Sequence, residues 1–115
     1  MCLPRAVSLL VTVACLSGPN LHAESADARI GIDNFTFKPA EVVVSTGTKI
    51  IWTNQDDIPH AIADAAMQKR FKSSVLDTGE TFSYVFSSSG TYHYFCSLHP
   101  HMRGTIVVNE RDHPL

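Results

Sequence analysis

Hydrophobic and polar positions alternate with a period of two along much of the chain. In "TFSYVFS" (81–87), Phe82, Tyr84 and Phe86 fall on one face and Ser83 and Val85 on the other. "TYHYFC" (91–96) sets Tyr92, Tyr94 and Cys96 against His93 and Phe95. "TKIIWTN" (48–54) places Ile50 and Trp52 together, "EVVVS" (41–45) is short and β-branched, and "GTIVVNE" (104–110) closes the series. Period-two alternation over short segments predicts half-buried strands. Turn sequences separate them: "STG" before Thr48, "DTG" before Glu80 and "SSSG" before Thr91. Five or more strands at this spacing predict an all-β sandwich or barrel. One stretch departs from the pattern. "ADAAMQKRFKSS" (63–74) has no alternation, and its Ala, Lys and Arg content fits a short helix or an irregular loop with a weak edge strand.

The amino end reads differently. Residues 1–23, "MCLPRAVSLLVTVACLSGPNLHA", put one positive charge, Arg5, before the apolar run "AVSLLVTVACL". That run is too short to span a bilayer. A break at "SGPN" and a small residue, Ala23, follow. Charge, length and order together predict a secretory signal peptide over 1–23 and a single domain over 24–115. Cleavage after Ala28 is a second option. Lipid attachment at Cys15 is a rival reading, but Thr12 stands where such a signal usually has Leu. A signal of this kind predicts a periplasmic location.

Composition then narrows the function. Of nine Lys and Arg only Arg5 lies in the leader, so acidic residues outnumber basic ones in the rest, with the charges interspersed. No basic run speaks for nucleic acid. Two of the three cysteines, Cys2 and Cys15, are in the leader, which leaves Cys96 alone. Exported proteins normally pair their cysteines, so a lone thiol there calls for an occupant.

The surroundings of Cys96 suggest one. "YHYFCSLHPHM" (92–102) contains the spacing Cys96-x-x-His99-x-x-Met102, and His60 lies upstream in "DDIPHAI". Taken singly, each residue has a plainer reading: a buried thiol, a core methionine, a loop histidine. Together they offer thiolate, thioether and imidazole. Two His and one Cys with a weak axial Met suit copper in an electron-transfer site. Zinc prefers four strong ligands, and Met is a poor one. His93, His101 and His113 read as bystanders, with a partner-contact or pH-sensing role as the alternative for His101.

"GTYHYFCSLHPHMRGTIVV" resembles the carboxy-terminal copper loop of the cupredoxins, the small blue copper proteins. The two-residue gaps on either side of His99 match the amicyanin branch. "FTFKPAEVVVSTGTKIIWTNQDDIPHAI" is similar to the first half of the family's domain, so the resemblance covers about residues 29–109. It implies an eight-stranded Greek-key β-sandwich with one type 1 copper ion held by His60, Cys96, His99 and Met102. It also implies single-electron transfer between redox proteins, such as a periplasmic dehydrogenase or a c-type cytochrome, and no enzymatic turnover. A carrier delivering copper to a periplasmic oxidase is the alternative. A nucleophilic enzyme built on Cys96 would leave Met102 without a role. The sequence departs from the amicyanin pattern at Ala61, where Asn is common, and at Leu98, where Pro is common. The Ala61 N–H is expected to reach the Cys96 sulfur, and the Leu98 N–H is a candidate for a second such bond.

Overall fold

The computed structural model describes residues 27–111. The expected signal peptide, Cys15 and His113 lie outside that range. Eight strands form in chain order: β1 (Ala28–Asp33), β2 (Thr36–Lys38), β3 (Glu41–Ser45), β4 (Thr48–Asn54), β5 (Ala63–Asp64), β6 (Thr81–Phe86), β7 (Gly90–Phe95) and β8 (Arg103–Asn109). They make two four-stranded sheets, ordered β2-β1-β4-β6 and β3-β8-β7-β5. The pairings β1–β4 and β3–β8 are parallel and the others antiparallel. This is the expected all-β sandwich. β1 and β2 are additional to the strands expected from alternation.

In β4, β6 and β7, where the alternation predicted a face, that face turns inward. Ile50 and Trp52 of β4, Tyr92 and Tyr94 of β7, and Ile106 and Val108 of β8 are buried, joined by Ile30 and Ile32 of β1. Burying one large apolar side chain fully contributes about 1.5–3 kcal/mol, so these residues are a principal source of stability. The aromatic rings interlock: Trp52 meets Tyr94 edge-on with centroids 5.4 Å apart, and Phe37 meets Tyr94 at 4.7 Å. Gly104, opposite Tyr94 across the β7–β8 pair, makes room for this ring. A Cβ there would overlap the Tyr94 side chain.

The stretch 63–74 is the loop with a weak edge strand, not the helix. β5 spans two residues and pairs with the end of β7. The chain then turns and comes back, with an isolated bridge between Ala63 and Lys72. Two side chains hold it. Asp64, fully buried, accepts hydrogen bonds from the Ala66 and Arg70 backbone N–H groups and from the Arg70 guanidinium at 2.7 Å. Phe71 inserts into the core against Trp52, Tyr84 and Phe86. These contacts override the helix-like composition, because a helix would carry Phe71 and Asp64 away from the partners they have here.

Candidate metal centre

Two separate pieces of chain build the site at one end of the sandwich. The first is the 96–102 loop joining β7 to β8. Its backbone closes on itself: the Cys96 N–H donates to the Met102 carbonyl (3.0 Å), the His99 N–H to the Cys96 carbonyl (3.2 Å) and the Met102 N–H to the His99 carbonyl (2.9 Å). Seven residues thus form a compact turn that brings Cys96, His99 and Met102 close in space. Cys96 and Met102 are buried, His99 is half-buried, and Leu98, Pro100 and His101 face solvent.

The second piece is the 54–60 loop after β4, which presents His60. Asn54, fully buried, organises it. Its side-chain N–H group donates to the Ile58 and Leu76 carbonyls, both at 2.9 Å, and its carbonyl accepts from the Asp56 N–H at 2.9 Å. His60 itself exchanges backbone hydrogen bonds with Leu76 (3.1 and 2.7 Å). Its ring is completely buried.

The donor atoms converge. Cys96 Sγ lies 3.7 Å from His60 Nδ1 and 3.7 Å from His99 Nδ1. All three donors fall within 4.8 Å of one another. First-row metals bind imidazole nitrogen at about 2.0–2.1 Å and thiolate sulfur at about 2.3 Å. An N and an S on one metal at trigonal angles would then stand roughly 3.7 Å apart, the spacing found here. One nitrogen–thiolate–nitrogen set of this size fits a copper ion. Among the described residues Cys96 is a free, buried thiol.

The groups behind the donors fix their orientation. His60 Nε2 is 2.7 Å from Asp56 Oδ2. With the Nε2–H donating to the carboxylate, Nδ1 presents its lone pair to the centre. The Phe35 N–H bond lowers the Asp56 pKa; burial works the other way, and the His60 ring and Asn34 N–H help to lower it. The carboxylate is therefore ionised at neutral pH. The Ala61 N–H donates to Cys96 Sγ at 3.4 Å, as expected, and this bond stabilises a thiolate. The second expected bond, from the Leu98 N–H to the sulfur, is not made. The 96–99 turn is closed by the His99 N–H instead, and Leu98 sits at its exposed crest.

Of the residues proposed from sequence, His60, Cys96 and His99 meet in one cluster, and Met102 is buried in the same closed loop. His93 is exposed, with Nδ1 3.2 Å from Thr105 Oγ1, and takes no part. Sequence reasoning missed Asn54, Asp56 and Phe35. Asp56 carried a signal, an acidic residue four positions before His60. Phe35 carried none: its ring stands edge-on to His60 (centroids 5.7 Å apart) and to His99 (5.1 Å) across a large sequence separation.

Comparison with known proteins agrees with the geometry. Residues 24–109 match the family of copper binding proteins described as plastocyanin/azurin. The chain is 32% identical over 95 residues to amicyanin of Paracoccus denitrificans, covering 78% of this chain and 72% of that protein. It is 30% identical over 90 residues to amicyanin-alpha of Methylorubrum extorquens, covering 76% of each. Among solved structures it superposes on a purple cupredoxin from Nitrosopumilus maritimus with a TM-score of 0.69 and 34% identity, covering 72% of this chain and all of that one. A reduced amicyanin variant gives 0.68 and 28%, covering 72% and 82%. With a buried cysteine sulfur and two imidazoles converging at the end of an eight-stranded sandwich, the chain belongs to the plastocyanin/azurin family of copper binding proteins, as an amicyanin-like cupredoxin.

Proposed function

We propose that the protein is an exported carrier of single electrons, working in the periplasm between larger redox proteins and catalysing no turnover of its own. The observation that carries this reading is the asymmetry of the donor cluster. Cys96 and His60 are wholly buried, while His99 belongs to a loop whose crest, Leu98, is 45% exposed. His60 Nδ1, Cys96 Sγ and His99 Nδ1 would hold the copper, and the Met102 thioether would serve as a further, weak donor. Copper bound there supplies a one-electron couple between its two oxidation states.

The chain's own residues do the rest. Asn54 and Asp56 hold the His60 ring, and the closed 96–102 turn holds Cys96 and His99. The donor positions therefore need to move little when the charge at the centre changes. The apolar crest of Leu98 and Pro100 lets a partner approach the His99 ring closely and exclude water. A dehydrogenase on the donor side and a c-type cytochrome on the acceptor side have the one-electron chemistry to match. The signal-peptide pattern at 1–23 supports export.

Delivery of copper to an oxidase is the competing reading, and the burial of Cys96 and His60 disfavours it, because handing over a metal requires donors that a recipient can reach. Voltammetry of the copper-loaded protein, followed by incubation with an excess of a copper chelator, separates the two. An electron carrier gives a reversible one-electron wave and keeps its copper over many cycles. Rapid, complete transfer of copper to the chelator would favour delivery. Met102→Gln replaces a thioether by a harder amide oxygen and should lower the reduction potential. An unchanged potential would place Met102 outside the coordination sphere.

A further inference from the structure

The turn between β1 and β2 contains an expensive choice of residue. The two strands form a hairpin in which Asp33 faces Thr36, so Asn34 and Phe35 are its two loop residues. Both have positive φ, 49° and 58°. Two-residue hairpin loops with positive φ at both positions favour Asn followed by Gly, since Gly bears the left-handed conformation without steric cost. Here Phe stands in the Gly position. A bulky side chain is rare in that region and needs compensation. The core does not provide it, because Phe35 is 49% exposed.

The compensation lies at the donor cluster. The Asn34 and Phe35 N–H groups both donate to the Asp56 carboxylate, at 2.8 and 3.0 Å. The same carboxylate accepts a hydrogen bond from His60 Nε2. The turn is therefore fastened to the support of one ligand, and from there Phe35 projects its ring over both imidazoles, at interplanar angles of 89° to His60 and 87° to His99. The two histidines differ in need. His60 has Asp56 and the backbone pairing with Leu76 to hold it. Among the described residues the His99 ring has no hydrogen-bond partner other than the Cys96 sulfur. What fixes its plane is ring contact.

We propose that Phe35 is a positioning residue for His99. Its ring, held in a strained turn by Asp56, blocks rotation of the half-buried imidazole out of the donor cluster and keeps water from its face, so that the site retains its metal and its geometry. This rests on the copper reading above and adds a residue outside both ligand loops.

The test compares the wild-type protein with Phe35→Gly and Phe35→Tyr, each metal-free and copper-loaded. Glycine relieves the turn but removes the ring. Metal-free Phe35→Gly should melt no lower than wild type, yet its loaded form should release copper to excess chelator roughly two- to tenfold faster, the range expected for loss of an aromatic edge contact. Phe35→Tyr should keep the wild-type rate. In the metal-free wild type, nuclear Overhauser contacts should join the Phe35 and His99 ring protons. Unchanged release from Phe35→Gly, or release from Phe35→Tyr as fast as from Phe35→Gly, would overturn the proposal. So would a lowered melting temperature of metal-free Phe35→Gly, which would make Phe35 a support of the hairpin. A wild type that takes up no copper would defeat the copper reading alone, and the ring contacts in the metal-free protein would then decide the positioning role, their absence overturning it.

Discussion

The two histidines of the donor cluster sit in opposite surroundings. His60 is fully buried, paired with Leu76 through its backbone and bonded at its outer nitrogen to an ionised carboxylate. His99 is half-buried on a seven-residue turn, with an exposed Leu98 beside it and no polar partner behind it among the described residues. A site made only of arms like that of His60 would be rigid and out of a partner's reach. One made only of arms like that of His99 would be reachable and loose. Combining them lets the fold set the geometry from one side and leaves the other open for electron exchange. Substitutions on the His60 arm should therefore appear mainly in stability, and those on the His99 arm mainly in rates with partners.

The largest stability loss is expected from Asn54→Ala. It leaves the Ile58 carbonyl and the Asp56 N–H without their partner in a buried loop, and leaves the Leu76 carbonyl with only the His60 N–H. Such orphaned groups cost about 1–3 kcal/mol each, and local rearrangement and water recover part of this. A net loss of about 2–4 kcal/mol should appear in a denaturant melt of the metal-free protein. A loss under about 0.5 kcal/mol, the ordinary value for an exposed position, would show that the His60 loop is held by something else.

Asp56→Asn should cost less, about 1–2 kcal/mol near neutral pH, because one acceptor oxygen survives. Its pH dependence carries the sharper information. The Asp56 pKa is lower in the folded protein than its ordinary value. Its stabilisation is thus complete above the unfolded-state value of about 3.9 and is lost as pH falls through the folded value. The wild-type and Asp56→Asn melting temperatures should accordingly stay apart down to about pH 5 and approach each other as pH falls on through about 4 and below. A gap that stays constant over that range would mean that the carboxylate charge contributes nothing.

On the other arm, Leu98→Glu should change stability by less than about 0.5 kcal/mol and leave the visible spectrum unaltered. It should slow electron exchange with the native partner, because a buried charge at the contact opposes docking. Val43→Glu, on an exposed β3 position, serves as the control. Equal slowing by both would show that the partner does not dock at the His99 face.

The contrast between the arms also explains what could be read from the sequence. The sandwich was legible because β4, β6 and β7 alternate cleanly, and alternation reports burial directly. Cys96, His99 and Met102 were legible because one turn carries all three. The supports of His60 were not, since Asn54 bonds Leu76 across 22 positions and Phe35 reaches Asp56 across 21. Such pairs become neighbours only after the sheets form. Phe71 was hidden for a related reason: a single aromatic in a stretch without period has no face to declare, and its burial follows from the Asp64–Arg70 anchor beside it. Leu98 misled in a smaller way. Having an N–H where proline has none does not aim that N–H at the sulfur, because the turn closes through His99 instead.

The central claim is that Cys96, with His60 and His99, binds copper through a thiolate bond. Addition of Cu(II) to the purified wild-type protein and to Cys96→Ser, followed by visible absorption, tests it most directly. The account predicts an intense band that saturates at one copper per wild-type chain and is missing from Cys96→Ser, because serine offers no sulfur donor. A colourless wild type, or a Cys96→Ser variant that keeps the band, would contradict it.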